Sequence, residues 1–422
     1  MPDIEEQITG IYSPASSPQR HLRHQASLEN VLDVASAAQD PLTSSERTAA
    51  RQVFYRIVQH FEAIDPFQGM ARAEQANAYS HPLLVRYTYE YSFSEDSRDV
   101  FLRAFFDSVG LDLAGLVNTR AEIDFDKVTP HFHGFADHLI DNFFLPLKAS
   151  TAKTPQPSPA YHSAVLRAQG ADTGTAHGFI GTPDRLASLR WECLQRDRHR
   201  CVVTRSFSNT EYQARFKAHR DNARDDGGAL LSEQANARPF AALEVAHIIP
   251  HSIMKSASGQ AALAVLDMFD KGVAHLVDGV EIDRARNALT LSIDIHRYFG
   301  AFEIYFEPVP GVHGAPETAQ KNVYRIQSFL PPALNTMYGL PVTRTLFVTE
   351  SRTIDPPSPR LLAVHRAIAH ILHLSGAGDY LDKLLRDMDD SYVRADGGSA
   401  LGRMVALGLR GWTSHGSAVH YE

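Results

Sequence analysis

The residues best suited to chemistry lie in one stretch, between Ala241 and Pro308. It opens with Ala241-Ala242-Leu243-Glu244-Val245-Ala246-His247-Ile248-Ile249-Pro250, an apolar run of β-type residues with His247 near its end. After a long connection comes Arg286-Asn287-Ala288-Leu289-Thr290-Leu291-Ser292, a second short strand. Asp294-Ile295-His296-Arg297-Tyr298-Phe299 then reads as the start of a helix, with Ser292 or Asp294 available as its N-cap. One polar residue thus stands at each junction of a strand, strand, helix unit: His247, Asn287 and His296. An imidazole titrates near neutrality, so it serves either as a proton acceptor or as a metal ligand at cellular pH.

This order resembles the HNH nuclease family, whose ββα-metal fold is named for these three residues. Ala-His-Ile-Ile-Pro around His247 is similar to the family's first box, and the nine positions from Asn287 to His296 match its spacing. Arg200-Cys201-Val202-Val203-Thr204 is similar to the Cys-x-x-Thr that opens the fungal type of this domain. Phe143-Phe144-Leu145-Pro146-Leu147-Lys148 and the stretch Pro357 to Ile368 resemble a larger class of fungal proteins that carry the domain centrally. The resemblance implies a metal-dependent endonuclease acting on DNA, with RNA as the alternative substrate. Hydrolysis of a phosphodiester needs an activated water, an electrophile on the phosphate oxygens and help for the leaving oxygen. The resemblance makes His247 the general base, Asn287 the residue that orients its ring, and His296 a metal ligand. Mixed imidazole and oxygen ligation suits Mg, Mn, Ni or Zn.

The chain departs from the family pattern in places. Ala246 stands just before the base, where many HNH enzymes carry an Asp or His ligand, and Gly300 stands where a further helix ligand often sits. Glu244 points to the same side of an alternating strand as position 246, about 6–7 Å away, and reads as a replacement ligand or as a structural acid. Asp294 is a second replacement. Asn287 is followed by Ala288, where Gly or Leu is usual. The rival expectation is a degenerate HNH-fold protein that has lost the metal and acts as a nucleic-acid-binding or protein-interaction scaffold.

The formal net charge is −8, so phosphate affinity must come from a local patch and not from the whole surface. Arg196, Arg198, Arg200 and Arg205, with His199, make the densest basic cluster, and Arg284, Arg286 and Arg297 flank the motif. The two cysteines, Cys193 and Cys201, support neither a disulfide framework nor a four-cysteine zinc site, and Cys201 reads as a small buried residue. No run of about 18 apolar residues exists, so no membrane span is expected. Met1 to Gln25 lacks the apolar core of a secretory signal, which leaves an intracellular setting, cytoplasm or nucleus. His251, past Pro250, reads as a loop histidine, and Pro130 and Gly134 place His131, His133 and His138 in a turn. His365, His370 and His373 share one apolar helix and read as satisfied core residues.

These residues need a frame, and 422 residues with 44% apolar content allow two or three domains. The expected class is α+β: a central ββα-metal HNH domain flanked by a mainly helical N-terminal region and a mixed α/β C-terminal region. Residues 1–40 read as poorly ordered, 41–147 as helical, 148–160 as a Pro/Ser/Thr-rich linker, 185–308 as the HNH-like domain, and 309–422 as further strands and helices. Thr43 and Glu46 have capping-box spacing ahead of an apolar stripe from Val53 to Phe61. Leu83 to Phe93 alternates aromatics and reads as a strand, and Phe135 to Leu147 reads as a helix stopped near Pro146. Gly259 to Phe269 reads as a helix inserted between the two HNH strands, and Lys217 to Asn236 as an exposed insertion. Val323 to Phe329 and Thr345 to Thr349 read as strands, and Ser358 to Leu374 as a buried helix.

Overall fold

The computed structural model describes residues 41–113, 123–149, 183–234, 240–250, 253, 259–309, 322–349 and 353–389. The N-terminal segment 1–40, most of the linker, His251 and residues 390–422 lie outside them.

Helix α1 (Ser44–Ile64) starts where its capping box demands. The Glu46 amide donates to Thr43 Oγ1 at 3.3 Å while the Thr43 amide donates to Glu46 Oε2 at 2.8 Å, so two otherwise orphaned donors are satisfied. Ala50, Phe54, Ile57, Val58 and Phe61 form its buried stripe. Helices α2 (His81–Glu90), α3 (Glu95–Ser108) and α4 (Phe125–Leu139) follow, capped by Ser80, Ser94 and Asp124. Their core is aromatic: Phe54, Phe101, Phe105 and Phe135 meet edge to face with ring centroids 5.1–5.7 Å apart.

Two local expectations fail here for identifiable reasons. Leu83 to Phe93 is not a strand. Its aromatics alternate, but Leu84, Val85, Thr88 and Tyr89 bury at helical spacing, and Ser80 with Pro82 starts a helix. Tyr87 and Tyr91 meet edge to face along the half-exposed face one turn apart. Likewise, His131, His133 and His138 are in α4 and not in a turn, because Phe132 and Phe135 lock into the aromatic core on either side of Gly134 and hold Pro130 within the helix. A π-turn (Ile140–Phe144) then passes the chain into α5 (Leu145–Ala149), beyond the expected stop at Pro146. The wider turn accommodates a ring that would clash with the carbonyl four residues back in a regular helix.

The middle of the chain contributes α6 (Pro183–Arg196), α7 (Asn209–His219), β1 (Leu243–His247), α8 (Gly259–Phe269), β2 (Ala288–Ser292) and α9 (Ile293–Gly300). The C-terminal part adds β3 (Ile304–Pro308), β4 (Val323–Ser328), α10 (Pro332–Tyr338), β5 (Val342–Thr345), α11 (Pro359–Ser375) and α12 (Ala377–Asp389). β1 and β2 form a two-stranded antiparallel sheet, and β3, β4 and β5 a three-stranded one. The second sheet corrects one boundary. β5 ends at Thr345, and Leu346-Phe347-Val348 leaves the sheet, Leu346 buried and Phe347 under two guanidiniums.

Helix α8, the insertion between the HNH strands, ties that unit to the helical frame. Phe269 accepts the Phe93 amide at 2.8 Å and stacks near Phe143, and Met268 accepts from Ser92 Oγ at 2.6 Å. From the other end, α11 lies between α2 and β3, with the Ser80 amide bonded to the Ser375 carbonyl at 2.9 Å. The chain is α+β, with the ββα unit in its middle. Among the described residues no helix is long and apolar enough to cross a membrane.

Candidate active site

β1 and β2 pair with Glu244 opposite Leu291, Ala246 opposite Leu289 and His247 opposite Ala288. Successive side chains on a strand point to opposite faces, so Glu244 and Ala246 share one face, and Val245 and His247 the other. α9 begins directly after β2 and covers the first face. α6 covers the second, where Leu189 and Cys193 pack on Val245, Ala285 and Ala288.

α9 buries Ile295, His296 and Phe299 and leaves Asp294 and Arg297 exposed. That face brings the His296 ring onto Glu244: Nδ1 lies 2.7 Å from Oε2. The pair is partly open, with side-chain exposures of 11% and 28%. Asp294 does not join it. One residue into the helix it faces away, beside the Tyr338 hydroxyl, so the replacement role expected of it is not met by its position. Among the described residues no group of three His, Cys, Asp or Glu side chains could share an ion.

On the opposite face His247 meets a residue that the sequence reading passed over. Its Nε2 lies 3.0 Å from Asp283 Oδ1, with side-chain exposures of 4% and 1%. Asp283 ends a short 3-10 turn (Gly279–Asp283), 36 positions along the chain from His247, a distance that carries no spacing signal. Asp283 thus contacts the His247 ring, where the resemblance implies Asn287 as the orienting residue.

Asn287 acts one step behind. Fully buried, it donates from Nδ2 to the carbonyls of Ile249 and Ile282 at 2.9 Å each and accepts the Ile249 amide on Oδ1 at 2.9 Å. Its own carbonyl accepts the Ile248 amide at 2.7 Å. Ile282 adjoins Asp283, and Ile248 and Ile249 follow His247. One amide side chain thus fastens the backbone on both sides of the His247–Asp283 contact.

The basic cluster divides. Arg196 is a core residue with a side chain 0% exposed, which leaves it no surface for a phosphate. It forks onto Asp197 at 2.9 Å through two nitrogens and donates to the carbonyls of Ala285 (2.7 Å) and Ala288 (2.8 Å). Asp197 in turn accepts the Thr290 amide at 3.0 Å, so this ion pair joins the end of α6 to β2. Arg200 pairs with Asp225 at 2.7 Å, and Arg286 with Glu281. Arg198 and Arg205 lie over the Phe347 ring, 5.0 and 4.3 Å from its centroid, a cation–π arrangement that keeps both half-exposed. Arg297 is exposed on α9.

The Cys201 turn is pinned to the same sheet. The Val202 amide donates to the Thr290 carbonyl at 2.9 Å, and the Thr204 amide approaches Cys201 Sγ at 3.4 Å. Both cysteines are buried and unpaired, and burial pushes the Cys193 thiol up to about 12.

A family model described as HNH endonuclease matches residues 201–307. The match runs from the Cys201 turn through both strands, the α8 insertion and α9 into β3. Comparisons with curated proteins and with solved structures returned no match. Sequence motif, ββα geometry and family model agree on the same stretch: residues 201–307 of this chain form an HNH endonuclease domain.

Proposed function

We propose that this protein is a metal-dependent endonuclease that hydrolyses phosphodiester bonds in DNA, with RNA as the second substrate to test. The observation that carries the reading is the pair of histidine–carboxylate contacts on the two faces of β1, His247–Asp283 and His296–Glu244. His247 takes the proton of the attacking water. Asn287 holds the backbone that presents it. Glu244 and His296 are the residues that would hold a divalent ion. The Glu244 oxygen and the His296 nitrogen stand 2.7 Å apart. Two neighbouring ligands of one ion at about 2.1 Å each would stand about 3 Å apart, so the donors fit. Their chemistry, one carboxylate oxygen and one imidazole nitrogen, suits Mg, Mn, Ni or Zn. The ion would polarise the phosphate oxygens and stabilise the leaving oxygen. Arg198 and Arg297 are the remaining phosphate contacts, since Arg196, Arg200, Arg205 and Arg286 are committed to internal partners.

One observation favours a second reading. Two protein donors converge where a tightly held ion takes three or four. On that reading the domain keeps the ββα fold and binds nucleic acid or protein without cutting. Cleavage of supercoiled plasmid and of single-stranded RNA, with EDTA and then with added Mg, Mn, Ni or Zn, separates the two. Metal-dependent cutting that vanishes in His247→Ala is the expected result. No cutting with any metal, together with no metal-induced rise in Tm, would leave the scaffold.

A further inference from the structure

We propose that Asp283 is the positioning residue for His247, holding its imidazole as the Nε2–H tautomer so that Nδ1 is the nitrogen that accepts the proton. The proposal rests on the nuclease reading only for its catalytic consequence; the tautomer itself is a property of the folded chain.

An ionised carboxylate only accepts hydrogen bonds. At 3.0 Å from Asp283 Oδ1, Nε2 must therefore carry the hydrogen, and in a neutral ring Nδ1 is then the acceptor. Both side chains are almost sealed from water, at 4% and 1% exposure, where a hydrogen bond is electrostatically stronger than in solvent. Neither partner can drift. The Asn287 amide ties Ile282, one residue before Asp283, to Ile249, two residues after His247. Asp283 also stands at the end of its 3-10 turn, so its backbone is constrained on that side as well.

The step this arrangement serves balances without a further reactant. A water O–H bond breaks and its proton passes to His247 Nδ1 as the oxygen forms a bond to phosphorus. The phosphorus–oxygen bond to the leaving group breaks, and that oxygen takes a proton from solvent. The imidazolium formed at His247 has its positive charge against the Asp283 carboxylate, which stays ionised and takes no proton. An amide at position 283 could donate as well as accept and would no longer select the Nε2–H tautomer, and the ring with hydrogen on Nδ1 cannot act as the base.

The test uses full-length protein labelled with 15N in histidine and long-range 1H–15N spectra, with His247→Ala to assign the ring. The expected result is a single Nε2–H tautomer for His247 that gives way to a mixture in Asp283→Asn. In the same variant plasmid cleavage falls by about 10²-fold while the Kd for DNA is unchanged, the signature of a lost positioning contact. A wild-type His247 ring with hydrogen on Nδ1, or a mixture of tautomers, would overturn the proposal even if Asp283→Asn failed to fold. An Asp283→Asn protein that cuts at the wild-type rate would also overturn it. A single Nε2–H tautomer in a protein that cuts nothing with any metal would leave the contact standing and remove the nuclease reading.

Discussion

The two histidine–carboxylate pairs on β1 share their chemistry and differ in depth. His247–Asp283 is nearly buried, with exposures of 4% and 1%. His296–Glu244 is open at its carboxylate, with exposures of 11% and 28%. A sealed pair can fix a tautomer, because little water competes for the Nε2–Oδ1 contact itself. An open pair can exchange its shared proton for an ion whose remaining sites are filled by water or by a phosphate. The pleat of one strand, by sending residues 244 and 247 to opposite faces, gives each pair a different solvent environment and so a different use.

The largest effect should come from the sealed pair. His247→Ala is expected to lower plasmid cleavage by roughly 10²–10⁴-fold while leaving the Kd for Mn and the fold intact. Loss of soluble protein in that variant would mark the histidine as structural. Asn287→Ala removes three buried side-chain hydrogen bonds and strands their partners, so urea unfolding should show a loss of about 3 kcal/mol. A loss well under 1 kcal/mol would mean that the loops around the sealed pair hold themselves. For the open pair, Glu244→Gln should weaken Mn binding by roughly 10–100-fold in calorimetric titration, with little change in Tm in the absence of metal. Unchanged affinity would place the ion elsewhere.

The smallest effect sharpens the contrast with a histidine that has no carboxylate. His365 stacks on Phe299 with centroids 3.9 Å apart, and its Nε2–H donates to the Phe299 carbonyl at 3.0 Å. Burial pushes its pKa down to about 3, against a smaller opposing effect of that carbonyl. The unfolded chain takes up a proton near pH 6.5 and the folded chain does not, so stability is fully present above that pH and is lost as pH falls towards 3. By pH 5 the loss is about 2 kcal/mol. The stability difference between pH 7.5 and pH 5 should shrink in His365→Phe, which keeps the stack. An equal difference in the two proteins would show that His365 charges in place.

Much of the frame was legible in the chain itself. Thr43 with Glu46, Ser94 and Ser358 announce helix starts because a capping oxygen must lie within three residues of the amides it satisfies. Where a local pattern pointed one way and packing the other, packing won, as at Tyr87 to Phe93, whose alternation reads as a strand until Leu84 and Val85 choose their buried face.

The sequence alone determined the ββα order and the approach of His247, Asn287 and His296 to one unit, and it offered Glu244 as a replacement ligand. These depend on strand alternation and helix periodicity, which act over a few residues. Only the tertiary structure decided that Arg196 is a buried link between α6 and β2, that Glu244 meets His296 while Asp294 faces away, and that Asp283 touches His247. Each of those outcomes depends on which groups lose their water together. A carboxylate 36 positions from its histidine becomes its partner only when the fold closes over both.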